Sequence, residues 1–334
     1  MLNFIRHKLP LVAALYFYLF AIAVVFVSLL PWWPLYQGLT IPKYLLLFGP
    51  RWWLLVVGLF AFVFWAYLSN KKKWLLPILF IGVFNYLDFQ LPSLTHYQQS
   101  GVSKSASLKI IQANIGGGGS MYEIQLLVQD EQPDILLLQE ARNIKFSTWI
   151  SPEYQTSCKG GLCIISKLDF EEVGALSRGL IQGWGNFAML YKIKTADGDF
   201  SLAHIHLETP RTVIMSFIHR EWAQKAANKI EDNRQYESLL ISTWLQSQDK
   251  VVVAGDFNML EDENIYQQYF SSMNNALGHA AFGLNYTKKT AWHGARIDHL
   301  LFSDNFTLTE SRVLNFFTGD HQPVISILSV NNEH

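Results

Sequence analysis

Short polar motifs fall in order along the last two thirds of this 334-residue chain, each closing or following an apolar, strand-like run. They are Gln112-Ala113-Asn114, Gln139-Glu140, His204-Ile205-His206-Leu207, Gly255-Asp256-Phe257-Asn258, and the pair Arg296-Ile297-Asp298-His299 with Gly319-Asp320-His321. Their chemistries are complementary. Carboxylates suit a hard divalent cation, amides and imidazoles suit phosphate oxygens, and an Asp/His couple suits proton transfer. Each motif alone is an ordinary strand end. The ordered set carries the information.

Groups that act together must be held at the ends of neighbouring elements. Apolar, β-prone runs predict strands at 108–113, 135–138, 162–165, 187–193, 200–207, 251–254, 299–302 and 324–328. Helical patterns cover 121–131, 214–246 with breaks, and 264–270. So many strands with so few helices between them predict an α/β fold of two packed sheets flanked by helices. On a strand, His204 and His206 share a face, so His204 either reaches the same site or makes a structural hydrogen bond. The glycine run 116–119 lacks the Gly-Lys-Ser/Thr of a nucleotide-binding loop and is expected to be a turn. Cys158 and Cys163 leave two readings open: a disulfide around Lys159-Gly160-Gly161, or a thiol buried in a core strand.

With these motifs the stretch 108–330 resembles the endonuclease/exonuclease/phosphatase superfamily, which includes DNase I-like nucleases, inositol polyphosphate phosphatases, neutral sphingomyelinases and membrane-tethered bacterial members. The resemblance implies a DNase I-like four-layer α/β sandwich and a metal-dependent hydrolase of phosphoester bonds. It implies that Glu140 binds Mg²⁺ (or Mn²⁺) directly, that Asn114 lies beside the metal, and that Asp320 completes the metal environment. It further implies that His206 donates to the scissile phosphate and that Asn258 contacts a phosphate oxygen. Asp256 would orient or deprotonate the attacking water, and Asp298 would orient His321. Three positions depart from the family pattern: His204 stands where Asn is frequent, Gly319 where Ser is usual, and His299 where Tyr is frequent. His299 is expected to pack, and His219, His279 and His293 to lie at the surface.

The first third is a different material. Apolar stretches at 11–30, 52–68 and 74–91 predict three transmembrane helices, making 1–92 a membrane anchor and 93–107 a polar linker. Stretch 11–30 is too long for a signal peptide and runs into Pro31-Trp32-Trp33-Pro34. Trp32, Trp33, Trp52, Trp53 and Trp74 fall at the span ends, where indole prefers the interface. Arg6, Lys8 and Lys71-Lys72-Lys73 predict a cytoplasmic amino terminus, and three spans then put the rest in the periplasm or outside the cell.

Charge divides the same way. Residues 1–94 hold seven basic and one acidic residue, while the remainder holds 19 and 26, a net of −7. A domain gripping nucleic acid through its phosphates would show the opposite sign. The substrate expected first is therefore a lipid-linked phosphate or pyrophosphate in the bilayer, with the apolar segment 210–222 either the start of a core-facing helix or a lid facing lipid. A membrane-anchored nuclease is the alternative, with Lys288-Lys289 and Trp292-His293 as its sparse contacts. An inactive binding domain is a remote third reading, since Asn114, Glu140, Asp256, Asn258, Asp298 and His321 are all retained.

Overall fold

The computed structural model describes residues 2–34, 37–93, 107–116, 120–142 and 150–331. The first sheet has the order β13-β14-β1-β2-β4-β3. Its strands are β1 (Leu108–Asn114), β2 (Ile135–Gln139), β3 (Gln155–Lys159), β4 (Leu162–Ser166), β13 (Phe306–Val313) and β14 (Val324–Val330). The second sheet, β5-β6-β7-β8-β12-β9, is built from β5 (Phe170–Ser177), β6 (Asn186–Ile193), β7 (Phe200–His206), β8 (Val251–Asp256), β9 (Asn274–Asn275) and β12 (Asp298–Phe302). β10 (Lys288–Lys289) and β11 (Gly294–Ala295) form a small ribbon beside it.

Alternation along the central strands explains both the layers and the site. Leu108 and Ile110 of β1, Ile135 and Leu137 of β2, Leu202 of β7, Val252 and Ala254 of β8, and Leu300 of β12 share one core between the two sheets. Their odd-step neighbours, such as Ile111, Leu136, Val253 and Leu301, pack outward under helices. Because the side-chain period is two, the same inter-sheet face next carries Asn114, Gln139, His204, His206, Asp256 and Asp298. The polar end of the core layer is the site.

Outer helices complete the sandwich. The first sheet is covered by α5 (Met121–Glu131), whose Ser120 and Glu123 form a reciprocal capping box. On the second lie α7 (Gln224–Leu245) and α8 (Asn264–Tyr269), followed by the short α9 (Ala276–Ala280), while α6 (Arg211–Ile218) packs through Val213 on α7 and the N-terminal segment. The expected strands and helices are all present. β3, β5 and β13 were not legible, because their faces are half exposed and lack continuous apolar runs. Cys158 and Cys163 form a disulfide across paired strands β3 and β4.

The N-terminal segment consists of α1 (Leu2–Ser28), α2 (Thr40–Phe48), α3 (Trp53–Phe60) running into a 3₁₀ stretch at Ala61–Tyr67, and α4 (Asn70–Tyr86). Among the described residues, Lys8–Ser28 is long and apolar enough to cross a membrane, and Thr40–Phe48 with Trp53–Tyr67 forms an apolar pair bent by 76°. The third expected span is the 17-residue α4. The helices cross closely at small residues: a Cβ on Gly82 would lie 2.6 Å from Val24. Most of the expected linker lies outside the described residues.

The segment is docked on the catalytic sandwich. Its core, including Phe20, Leu54 and Val83, continues into Leu260, Ala295 and Ile297. Arg51 reaches Asp262 at 2.8 Å, Arg296 reaches Asp88 at 2.8 Å, and Asn264 donates to the Trp33 carbonyl at 2.9 Å. A helix between the first two predicted spans, α2, was not foreseen.

Candidate active site

Gly255 sets the turn that delivers Asp256. Its φ is +144°, and a Cβ there would sit 1.9 Å from the Ile205 carbonyl oxygen, so only glycine fits. Asp256 is buried. Its Oδ1 accepts from the Asn258 backbone N–H at 2.8 Å and its Oδ2 from Asn114 Nδ2 at 2.9 Å. Asn258 is left-handed, with φ +49°. Its side-chain amide donates to the Leu207 carbonyl at 2.9 Å, leaving a second amide hydrogen in its inventory.

The β12 and β14 ends add the couple. His321 Nδ1 lies 3.0 Å from Asp298 Oδ2, and Thr287 receives the Asp298 backbone N–H at 3.1 Å. His321 Nε2 is 3.8 Å from Asp256 Oδ2. Burial alone would pull the His321 pKa down, but Asp298 and Asp256 outweigh it and raise it to about 9. Burial, with the Asp298 charge nearby, pushes Asp256 up to about 7. Asp298 feels the same burial, yet the His321 charge and hydrogen bond hold it below the usual carboxylate range.

Across the cleft, His206 Nε2 lies 3.8 Å from both Glu140 Oε1 and Asp256 Oδ2. Its burial and the Arg178 guanidinium push its pKa down to about 4, so the ring is neutral with one N–H to give. Arg178 is hydrogen-bonded to the His206 carbonyl. His204 takes the structural role, the other reading its strand position allows. It is fully buried, bonded to Gln139 Nε2 at 2.8 Å between the sheets, and driven by burial to about 3.

Two observations fit a divalent cation. Gly116 leaves room for the 44% exposed Glu140 side chain, since a Cβ there would be 2.1 Å from Oε2. Asp320 Oδ1 is buried with no hydrogen-bond partner among the described residues. Glu140 and Asp320 each offer carboxylate oxygens that could serve an ion as ligands. Asn114 stands beside them, but its Oδ1 accepts from the Gly116 N–H at 2.8 Å and its Nδ2 faces Glu140 at 3.2 Å. It orients carboxylates in this geometry. Asp256, Asp298 and His321 also offer ligand atoms within 4.8 Å of one another, yet the last two are already bonded to each other.

A family model for the endonuclease/exonuclease/phosphatase family matches residues 111–321, spanning these motifs. The chain belongs to that family. As an endonuclease/exonuclease/phosphatase family member it is a metal-dependent hydrolase of phosphoester bonds. Solved structures share the fold: a D. rerio TDP2 humanized by 14 mutations aligns at TM-score 0.52 and 14% identity, over 67% of this chain and 99% of that one. TDP2 from C. elegans aligns at TM-score 0.51 and 16% identity, over 68% of this chain and 77% of its own. No protein of curated function matches the chain.

Four cations at this family site escaped the motif reading. Lys288 Nζ lies 2.7 Å from Asp320 Oδ2 and 2.8 Å from His321 Nε2. The second contact needs a neutral imidazole, whereas the two carboxylates favour imidazolium; two anions outweigh one ammonium, so Asp320 is the lasting partner of Lys288. Arg211 adds a longer contact to Asp320 at 3.5 Å. Arg178 and the buried Arg234 hold the His206 and Asn258 carbonyls. All four lie far in sequence from the groups they touch. His299 packs, as expected, bonding Met259 O at 2.8 Å. His293, expected at the surface, instead bonds the Phe48 carbonyl of α2 at 2.8 Å.

Proposed function

We propose that this family member is a Mg²⁺-dependent phosphoesterase, with Mn²⁺ as substitute, cleaving a phosphate ester or pyrophosphate bond of a lipid-linked substrate at the outer leaflet. The observation that carries the reading is α6. It begins beside the site at Arg211, packs on α2, and exposes Met215, Phe217 and Ile218, with Trp222 just beyond. Trp292, also exposed, receives the Trp52 indole N–H on its carbonyl at 3.0 Å, and the exposed Phe282 meets Phe89 edge-on. An apolar rim continuous with apolar helices suits a substrate whose tail stays in lipid while its phosphate enters the cleft.

Localisation follows the same reading. Residues 1–92 anchor the chain through three spans, with the amino terminus cytoplasmic and the catalytic domain periplasmic or extracellular. Contact between α2 and the sandwich supports it, because an odd number of spans puts both on one side. Outward-facing Leu11, Leu15, Leu19 and Ile22 on α1, and Trp74, Ile78 and Ile81 on α4, support burial in lipid.

In this mechanism Asp256 takes the proton of the attacking water, and the His321 imidazolium, held by Asp298, helps to position that water. His206 and Asn258 donate to phosphate oxygens as charge builds on them. Lys288 and Arg211 flank the entry. A divalent ion held by Glu140 and Asp320 supplies polarisation of the phosphoryl group and offsets developing charge.

The test is product release by purified, detergent-solubilised protein with Mg²⁺, comparing polyprenyl pyrophosphate, mixed phospholipids and plasmid DNA. We expect release from a lipid with DNA left intact, and loss of at least about a hundredfold in Glu140→Ala and His321→Ala with the domain still folded. DNA cleavage with lipids untouched would make the chain an anchored nuclease. Active Glu140→Ala and His321→Ala proteins would overturn the site assignment.

A further inference from the structure

We propose that α2, the helix joining the first two apolar helices, is a positioning element of the active site, acting through Arg234 on the backbone of Asn258. The inference rests on the functional reading only in giving Asn258 a role at the phosphate.

Arg234 is fully buried in the middle of α7. Its guanidinium joins three segments. Nη2 donates to the Asn258 carbonyl at 2.6 Å, both terminal nitrogens bond Glu263, and Nη1 donates to the Tyr44 hydroxyl at 2.9 Å. Asn258 sits in the left-handed region, which few residues other than glycine and asparagine adopt readily. It persists because both its sides are pinned: its N–H by Asp256 Oδ1 and its carbonyl by Arg234. The Arg234 hydrogen bond therefore helps fix where the Asn258 amide points.

α2 completes the arrangement around Arg234. Tyr44, buried, lies under the guanidinium with its ring centroid 5.1 Å away, and its hydroxyl donates to Glu231. Lys43 bonds Glu231 as well, and its ammonium lies 3.2 Å from Asn264 Oδ1 and 3.9 Å from Glu263. The buried cluster thus holds two cations, Lys43 and Arg234, against two carboxylates, Glu231 and Glu263. It is neutral only with α2 in place. Without Lys43 and Tyr44, Arg234 faces two anions and loses the partner that aligns Nη1. Its contact to the Asn258 carbonyl is then free to give way, and the left-handed residue to relax.

The full chain in detergent with Mg²⁺ tests this through Tyr44→Phe, which keeps the ring and its packing, and Arg234→Lys, which keeps the charge but not the fork. Two readouts are taken: amide hydrogen exchange at residues 257–260, and kcat and KM on the soluble diester bis(p-nitrophenyl) phosphate. We expect exchange there to rise about tenfold in Tyr44→Phe and further in Arg234→Lys, the order of one lost charge-assisted hydrogen bond. We expect kcat to fall about tenfold with KM changed by less than about twofold, as for an interaction expressed in the transition state. Unchanged exchange at 257–260, or unchanged kcat in both variants, would overturn the inference and leave α2 as adhesive alone. A wild-type protein inactive on every phosphoester would count against the functional reading, while the exchange comparison would still decide this one.

Discussion

At the scale of single residues, the site is governed by which charges are buried together. His321 is protonated more easily in the fold than in the unfolded chain, because Asp298 and Asp256 overcome its burial and raise its pKa from 6.5 to about 9. A raised histidine contributes stability that is fully present below about 6.5 and is lost as pH rises through about 9. Asp256, raised by burial from 3.8 to about 7, acts in the same direction at lower pH, since its charged form is penalised in the fold. With the metal removed by chelation, the thermal midpoint of the full chain should therefore fall between pH 7 and pH 9.5, and His321→Gln should flatten that fall. A wild-type midpoint constant across the window would mean that His321 is not held as imidazolium. That Asp256, Asp298 and His321 lie together was legible in sequence because each sits in a dense motif. Lys288 was visible only as a stray basic pair, since its partners Asp320 and His321 lie more than 30 residues away.

At the scale of elements, alternation does the positioning. β1, β2, β7, β8 and β12 each bury one face between the sheets, and the motif residues are the next members of that face. This is why the central strands could be read from apolar runs while β5 and β13, half exposed at sheet edges, could not. α6 is the element where sequence and structure carry different information. Its apolar residues predicted a helix, but one such helix can face a core or a membrane. Val213 is buried against α2 and α7, whereas Met215, Phe217 and Ile218 are exposed. Replacing Ile218 and Trp222 by Ser should then lower turnover of a lipid-linked phosphate in vesicles about tenfold or more, since each buried side chain is worth about 1.5–3 kcal/mol. The same variant should hydrolyse a soluble phosphoester at the wild-type rate. Equal losses on both substrates would show that these side chains serve the fold rather than the membrane.

At the scale of the whole molecule, the N-terminal helices and the α/β sandwich pack as one folded body. The sequence suggested a domain on a polar leash, because composition changes sharply near residue 93 and no local pattern announces contacts across such separations. What the composition hides is that the charges of the two parts complete each other. Lys43 neutralises Glu231, Arg51 reaches Asp262, and Arg296, buried in β12's approach, takes Asp88 from the end of α4. Around these pairs Leu260, Ala295 and Ile297 are covered by the helices. Breaking one buried pair by removing a partner typically costs about 3–5 kcal/mol. Residues 93–334 expressed alone would lose three partners at once and expose that apolar surface, although water reaching the freed charges would return part of the cost. A net loss of several kcal/mol corresponds to about 10 °C or more in a domain of this size. We therefore expect the separated domain to unfold at least about 10 °C below the full chain in detergent, or to aggregate. Coincident midpoints, with the separated domain a soluble monomer, would show that the docking surface contributes nothing to the fold. A domain freed for solubility would be assayed with Asn258 backed by an Arg234 that has lost Tyr44.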